Sequence, residues 1–215
     1  MKPIRLLIFD LDGTLVNTLE DITHSVNFTL GKLGRPLLHL DTVRQIVGDG
    51  MTMLLSRALG AHTDLLDEAI GIYTVHQSRN LVVRSQLYPG VKETLEHFRS
   101  IPMAVVTNKT LEFSEPLLEK LGIRSYFGMV LGADAGLPLK PAPDAFRKIM
   151  QSFGIAKEYT VVVGDGTTDI LAGRAAGITT CALTCGFRSE EELRKAGPDH
   201  VISAFPELMG LFRAA

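Results

Sequence analysis

The chain has 215 residues, of which 46% are hydrophobic and 21% are charged, as in ordinary globular proteins. Its 22 basic and 24 acidic residues leave a formal net charge of -2, so the overall charge supports neither a nucleic-acid partner nor a membrane surface. No apolar stretch has the length of a membrane helix or the character of a signal peptide. We therefore expect no membrane partner and a cytoplasmic location.

The chain contains two cysteines, Cys181 and Cys185, four positions apart in an apolar stretch. A disulfide framework or a zinc site requires more ligands at other spacings. The pattern favours two inert thiols packed in the interior, in keeping with a reduced compartment.

The first predicted element is a buried strand over residues 4–9, which is mostly apolar and leads directly into Asp10, Asp12 and Gly13. Residues two apart in an extended segment point to the same side, so both carboxylates can face one site. Two acids at a sheet edge carry a high desolvation cost unless a cation or a reaction uses them. The pattern therefore indicates a functional site.

Residues 16–86 show helical periodicity and no convincing strand, whereas strands and helices alternate from about residue 87 onward. The alternation predicts an α/β fold, with a Rossmann-like parallel sheet core and helices on both faces. We expect a core domain formed by residues 1–15 and 87–215, with residues 16–86 inserted as a helical cap domain.

Three further polar clusters follow predicted strands. They are Thr107-Asn108-Lys109, Lys140-Pro141, and the stretch from Gly164 through Asp165 and Gly166 to Asp169. Each cluster alone is typical of an ordinary turn or a solvated surface. Ligands of open α/β sheets bind outside the carboxyl ends of the strands, so four such clusters in this order predict one common site.

An apolar strand followed by Asp-x-Asp-Gly-Thr, then Thr-Asn, Lys-Pro and Gly-Asp-x-x-x-Asp, resembles the haloacid dehalogenase-like phosphatase superfamily over essentially the whole chain. The resemblance implies that Asp10 is a nucleophile that forms an aspartyl-phosphate. It also implies that Asp12 protonates the leaving oxygen and later activates water.

The same resemblance assigns phosphate-holding positions to Thr107, Asn108 and Lys140. It implies a Mg²⁺ cofactor with Asp10, the Asp12 carbonyl and Asp165 as ligands, and with Asp169 orienting the metal shell. Related dehalogenases lack an acid at the position of Asp12, so its presence favours phosphate chemistry. Gly166 stands where related phosphatases more often carry Ser, a departure that a backbone contact would tolerate.

Elementary electrostatics supports these roles independently. Like charges about 4 Å apart repel by roughly 4 kcal/mol at an effective dielectric constant near 20, so a phosphate dianion among these aspartates needs a cation. Mg²⁺ prefers carboxylate, water and phosphate oxygens, and Lys140 adds a further positive charge. To act as an acid, Asp12 needs a raised pKa when substrate is bound, and its crowded anionic surroundings are expected to supply that shift.

Within the predicted cap, the loop around Gly48 and Gly50 is similar to the cap loop of phosphoglycolate phosphatases. Its glycines could let the backbone approach a small substrate and donate N–H groups to a carboxylate. An equally good interpretation is a turn between two helices, in which Gly48 ends the first helix. Four cap arginines, at positions 44, 57, 79 and 84, cannot be ranked as ligands from the sequence.

The substrate expected from these patterns is a small phosphorylated metabolite, with 2-phosphoglycolate as the first candidate. Alternatives within the superfamily are a sugar-phosphate phosphatase, a pyrophosphatase and a phosphosugar mutase, and a non-catalytic binding protein is a further one. The sequence leaves open whether the protein is a monomer or a homodimer.

Overall fold

A six-stranded parallel sheet forms the centre of the computed structural model, which describes all 215 residues. The strands of the chain are β1 (Lys2–Ile4), β2 (Leu6–Phe9), β3 (Val16–Asn17), β4 (Gln86–Leu87), β5 (Met103–Val106), β6 (Met129–Leu131), β7 (Thr160–Gly164), β8 (Thr179–Leu183), β9 (His200–Ile202) and β10 (Phe212–Ala214). The central sheet has the order β6-β5-β2-β7-β8-β9. β2 therefore lies between β5 and β7, and the carboxyl ends of these three strands meet at one edge.

Ten α-helices accompany these strands. They are α1 (Leu19–Lys32), α2 (Leu40–Ile46), α3 (Met51–Leu59), α4 (Leu66–Arg79), α5 (Val91–His97), α6 (Leu111–Lys120), α7 (Asp144–Phe153), α8 (Thr167–Ala176), α9 (Glu190–Lys195) and α10 (Leu208–Leu211). None of them is long and apolar enough to span a bilayer.

Both faces of the central sheet are covered, as predicted. Leu7 and Phe9 of β2 pack into the larger hydrophobic cluster, which includes side chains of α5, α6 and α10. Leu6 and Ile8 pack on the other face against α7 and α8. All four side chains are fully buried, which explains why β2 is a continuous apolar run.

Helices α1 to α4 all lie between β3 and β4, in the part of the chain predicted to be helical. β3 and β4 pair antiparallel, with Val16 opposite Leu87 and Asn17 opposite Gln86. The expectation of no strand in residues 16–86 is therefore wrong at its two ends, because two-residue strands are too short to show an alternating pattern. This ribbon lies where the chain leaves the central sheet and where it returns.

Two other details differ from the sequence prediction. The strand predicted over residues 4–9 is divided at Arg5, since Lys2–Ile4 pairs with β10 in a separate two-stranded sheet. Of the two thiols, Cys181 is buried in β8, but Cys185 is exposed in the loop that follows. The prediction of an interior packing role is wrong for Cys185, because the strand ends two residues before it.

Candidate active site

Three carboxylates converge at the carboxyl edge of the sheet. Asp10 follows β2, Asp165 follows β7, and Asp169 lies in the first turn of α8. Oxygen atoms from the three side chains all lie within 4.8 Å of one another, which is close enough to share one cation. The structure thus brings together residues that the sequence separates by more than 150 positions.

Hydrogen bonds fix the orientation of Asp165 and Asp169. The Thr14 hydroxyl donates to Asp165 Oδ1 at 2.6 Å, and the Phe187 amide donates to Asp165 Oδ2 at 2.8 Å. The amide of Gly166 donates to Asp169 Oδ2 at 3.1 Å. This last bond uses only the backbone at position 166, so a glycine serves there.

Lys140 places its ammonium group between two of the acids. Its Nζ donates to Asp10 Oδ1 at 2.7 Å, to Asp169 Oδ1 at 2.6 Å and to the Val106 carbonyl at 2.8 Å. Burial alone would lower the pKa of Lys140, but the charges of Asp10 and Asp169 outweigh it and raise that pKa. The side chain is only 2% exposed and stays cationic.

One ammonium does not neutralise three carboxylates, of which Asp165 and Asp169 are buried and Asp10 is partly buried. Burial, followed by the negative charge of Asp169, raises the pKa of Asp10 above its ordinary value. Burial also raises the pKa of Asp165 to about 6, although the Phe187 amide and the Thr14 hydroxyl oppose the shift. A set of oxygen ligands with this surplus negative charge fits a hard divalent cation such as Mg²⁺.

Asp12 lies outside this cluster of three carboxylates. Lys109 Nζ contacts its two oxygens at 3.0 and 3.1 Å, and the Thr18 hydroxyl donates to Oδ1 at 2.7 Å. The expectation of crowded anionic surroundings is wrong for this carboxylate, because its nearest charged partner is an ammonium. The sequence showed Lys109 beside Thr107 and Asn108 but did not show where its side chain reaches.

Thr107 and Asn108 follow β5 at the same edge and are both buried. The Thr107 hydroxyl accepts a hydrogen bond from the Lys109 amide at 3.2 Å. The Asn108 side chain accepts from the Lys140 amide and donates to the Lys140 carbonyl, both at 3.0 Å. The two polar loops that the sequence singled out are therefore joined directly.

Gly48 and Gly50 lie in the turn between α2 and α3, with φ angles of +123° and +89°. The turn between two helices is confirmed, but Gly48 does not end the first helix, because α2 ends at Ile46 and is capped by Val47. Both glycines also line the space above Asp10 and Asp12. None of the four cap arginines lines this space, but Arg57, which pairs with Asp49 at 2.6 Å, lines a second cavity over the same acids.

Two cavities open over the acids, between helices α1 to α4 and the sheet edge. The smaller one, of about 60 Å³, has apolar walls that the sequence analysis did not single out: Ile22, Met51, Leu54, Tyr73 and Phe113. The larger one, of about 240 Å³, is polar and includes Arg57 and Arg188. These residues were missed because their helical periodicity or loop position is typical of ordinary core and surface.

Comparison with known proteins agrees with this geometry. The model of the haloacid dehalogenase-like hydrolase family matches residues 7–183, which include all four polar clusters. The chain belongs to this family. The family membership predicted from the sequence motifs is confirmed. The predicted fold, a parallel sheet with helices on both faces, is confirmed as well.

Family members with similar sequences cover the whole chain. A phosphoglycolate phosphatase of Nitrosococcus oceani is 35% identical over 223 residues, covering 100% of this chain and 99% of the relative. One of Colwellia psychrerythraea is 35% identical and covers 95% of each chain. A predicted phosphoglycolate phosphatase of Haemophilus somnus, solved as a crystal structure, superposes with a TM-score of 0.92 at 31% identity and 97% coverage of both chains.

Proposed function

We propose that this hydrolase is a Mg²⁺-dependent phosphatase that cleaves a small phosphomonoester through an aspartyl-phosphate on Asp10. The observation that carries the proposal is the position of Asp10. Its carboxylate lies beneath a small cavity, within the cluster of three acids and 2.7 Å from the Lys140 ammonium. The site therefore combines a nucleophile, a cationic group that can bind a phosphoryl group, and a cavity that can hold the ester.

In the proposed first step, a carboxylate oxygen of Asp10 forms a bond to phosphorus as the bond from phosphorus to the ester oxygen breaks. The ester oxygen takes a proton from Asp12 and leaves as an alcohol. In the second step, Asp12 removes a proton from water, whose oxygen attacks phosphorus and releases inorganic phosphate and Asp10. Asp12 lines the cavity above Asp10 and lies outside the cluster of three acids, which supports a role in both proton transfers.

The metal would be held by the side chains of Asp10 and Asp165 and the carbonyl of Asp12, with Asp169 oriented toward the same position. Bound there, Mg²⁺ would neutralise charge on the acids and on the phosphate oxygens. Thr107, the Asn108 backbone and Lys140 are proposed to hold the transferring phosphoryl group. The burial of all three residues beside Asp10 supports this role.

The first candidate substrate is 2-phosphoglycolate. Relatives named phosphoglycolate phosphatase match nearly the full length of the chain, and the cavity above Asp10 is small and partly apolar.

We propose residues 16–86 as the cap domain over the core of residues 1–15 and 87–215, with Gly48 and Gly50 contacting the substrate. A cap would exclude water from the phosphoryl group. The cytoplasmic location and the monomeric or dimeric state stay predictions.

The experiment is metal-dependent release of phosphate from a panel of phosphomonoesters, pyrophosphate and sugar phosphates, ranked by kcat/KM. We expect turnover with Mg²⁺, none in EDTA, and a loss of at least about a thousandfold in Asp10→Asn. Asp64→Asn, which alters an exposed aspartate of the helical segment, is the control and should retain activity. Near-normal turnover by Asp10→Asn would contradict the proposed mechanism.

A further inference from the structure

The cavity above Asp12 contains one cationic side chain, that of Lys109. Lys140 lies below, engaged with Asp10 and Asp169, and Arg188 and Arg57 line only the larger cavity. The Lys109 side chain is 9% exposed and its partner Asp12 is 16% exposed, so their charges are little screened by solvent. Lys140 is proposed to hold the phosphoryl group, so Lys109 is the cationic side chain of the smaller cavity that is left for a second anionic group of the substrate.

Lys109 retains the capacity to bind a second anion. An ammonium carries three N–H donors, and both contacts of Nζ go to the Asp12 carboxylate. At least one N–H therefore has no protein acceptor. Asp12 also keeps its bond from the Thr18 hydroxyl, so it stays in place if Lys109 shares its charge with another carboxylate.

Tyr73 lines the same cavity from helix α4. The residue is 4% exposed. Its hydroxyl has no protein hydrogen-bond partner and is not among the fully sealed polar atoms of the interior, so it is open to the cavity. Burial, and then the negative charge of Asp12, raise the pKa of this hydroxyl, which keeps it a proton donor. A buried phenol without a partner in a ligand cavity is suited to donate to a ligand oxygen.

We propose that Lys109, with Tyr73, binds a carboxylate attached to the carbon that carries the phosphate ester. The inference rests on the proposed function, because it takes Asp12 as the acid at the ester oxygen. Lys109 touches Asp12, so a carboxylate one carbon from that oxygen lies next to the ammonium. The substrate class is thus the phosphate esters of small 2-hydroxy acids, which include 2-phosphoglycolate.

The walls of the cavity restrict this class further. Ile22, Leu54 and Phe113 offer no hydrogen bonds to the hydroxyl groups of a sugar, and the volume is about 60 Å³. Burying such hydroxyls without partners is costly. A sugar whose hydroxyl groups lie against these apolar side chains would lose their partners, so we expect a two- or three-carbon acid to be preferred to a sugar phosphate.

The test compares 2-phosphoglycolate with 2-hydroxyethyl phosphate, which replaces the carboxylate by a neutral CH₂OH group. We expect wild-type enzyme to prefer 2-phosphoglycolate in kcat/KM. Lys109→Gln should reduce this preference about ten- to a hundredfold, the usual effect of losing a hydrogen bond between charged groups. Tyr73→Phe should reduce it about three- to tenfold, as for a neutral donor.

Two lysine variants serve as controls. Lys109→Arg keeps the positive charge and should retain most of the preference, and Lys120→Gln removes an exposed lysine at the far end of α6 and should leave it unchanged. Loss of the Asp12 contact slows both substrates equally, so the ratio isolates binding of the carboxylate. The melting temperature of each variant shows that it is folded.

The outcomes separate the two proposals. An unchanged ratio in Lys109→Gln would show that Lys109 serves Asp12 alone and would overturn the carboxylate site. A wild-type enzyme that hydrolyses 2-hydroxyethyl phosphate equally well would overturn it too, whether or not the variants fold, while leaving the phosphatase intact. Failure of wild-type enzyme on every phosphomonoester would instead overturn the proposed function.

Discussion

The side-chain amide of Asn108 donates a hydrogen bond of 3.1 Å to the carbonyl oxygen of Gly48, which joins the end of β5 to the turn between α2 and α3. The same side chain exchanges two hydrogen bonds with the backbone of Lys140. One asparagine therefore connects the helical segment to the loop that carries the cation beside Asp10. The Asn108 side chain therefore positions two loops, in addition to the contact with phosphate that is proposed for its backbone.

Replacing this asparagine tests the connection. Asn108→Ala should lower kcat/KM about ten- to a hundredfold, because the glycine turn and the Lys140 loop lose their common partner. Asn27→Ala is a matched control, since Asn27 exchanges the same pair of backbone hydrogen bonds with Leu38, away from the acids. Both variants should lose a similar free energy of unfolding in urea, about 1–3 kcal/mol, and only Asn108→Ala should lose activity. Equal activities would show that activity depends on neither the Gly48 contact nor the Lys140 contacts of Asn108.

Arg188 makes a second connection between the sheet edge and the helical segment. Its guanidinium donates to the Arg44 carbonyl at 2.6 Å and to the Val47 carbonyl, at the end of α2. We expect Arg188→Gln to raise KM about tenfold, with a smaller change in kcat, because the turn above Asp10 loses the hydrogen bonds that hold it over the site. Hydrogen exchange of the amides at residues 44–50 should become faster.

Arg174→Gln is the control for this prediction. Arg174 donates to the Ala196 carbonyl at 2.8 Å, a guanidinium–carbonyl bond of the same kind on another surface. It should change neither KM nor exchange at residues 44–50. If these amides exchange at the same rate in Arg188→Gln and in wild-type protein, Arg188 does not hold the turn.

The sequence alone predicted the sheet and the acids far better than the contacts between distant segments. Strands such as β2 and β7 are continuous apolar runs that end in polar clusters, so their position and the convergence of Asp10 with Asp165 follow from general rules of parallel sheets. Tyr73 was missed because an aromatic residue in an amphipathic helix is typical of an ordinary core.

The pairing of Lys109 with Asp12 and of Arg188 with Val47 could not be predicted from local patterns either. These partners are 97 and 141 residues apart. Asp12 and Lys109 follow the neighbouring strands β2 and β5, but the sequence does not show where a long lysine side chain reaches. The contact of Arg188 with Val47 depends on how α2 packs over the sheet edge, on which hydrophobic periodicity carries no information.

Asp21 should stabilise the place where the helical segment returns to the sheet. Its buried carboxylate accepts hydrogen bonds from the amides of Val83, Arg84 and Ser85 and from the Ser85 hydroxyl, at 2.7–3.0 Å. Burial raises its pKa, but the bonds from Ser85, Arg84 and Val83 outweigh this and bring the pKa below its ordinary value of 3.8. Asp21→Asn should cost about 2–3 kcal/mol at neutral pH, because an amide cannot accept from all these donors.

The pH dependence of this effect has a defined sign. The folded state has the lower pKa, so Asp21 contributes full stability above pH 3.8, and the contribution declines as the pH falls through the folded-state value. In urea titrations, the difference between wild type and Asp21→Asn should therefore shrink below about pH 4. A constant difference across this range would contradict the assignment.

Divalent cation binding to the three acids should be measurable without substrate. If Mg²⁺ binds Asp10, Asp165 and Asp169 in the folded state alone, a concentration of 100 times its Kd raises the free energy of unfolding by about 2.7 kcal/mol. The melting temperature of wild-type protein should rise with Mg²⁺, and Asp165→Asn should lose most of this rise. An equal rise in both proteins would place the cation elsewhere.

Gly186 determines how closely the loop after β8 approaches the acids. A methyl group at this position would lie 2.2 Å from Asp165 Cβ and 2.4 Å from both Asp165 Oδ2 and the Gly13 carbonyl, distances that no packed structure tolerates. Gly186→Ala should therefore displace Asp165, and we expect the Mg²⁺ concentration for half-maximal activity to rise about tenfold or more.

Gly71→Ala is the matched control, since a methyl group there meets no atom within 4 Å and lies within α4. It should raise the free energy of unfolding by about 0.5–1 kcal/mol and leave the Mg²⁺ requirement unchanged. A normal Mg²⁺ requirement in Gly186→Ala would show that the loop moves away and that Asp165 does not depend on it.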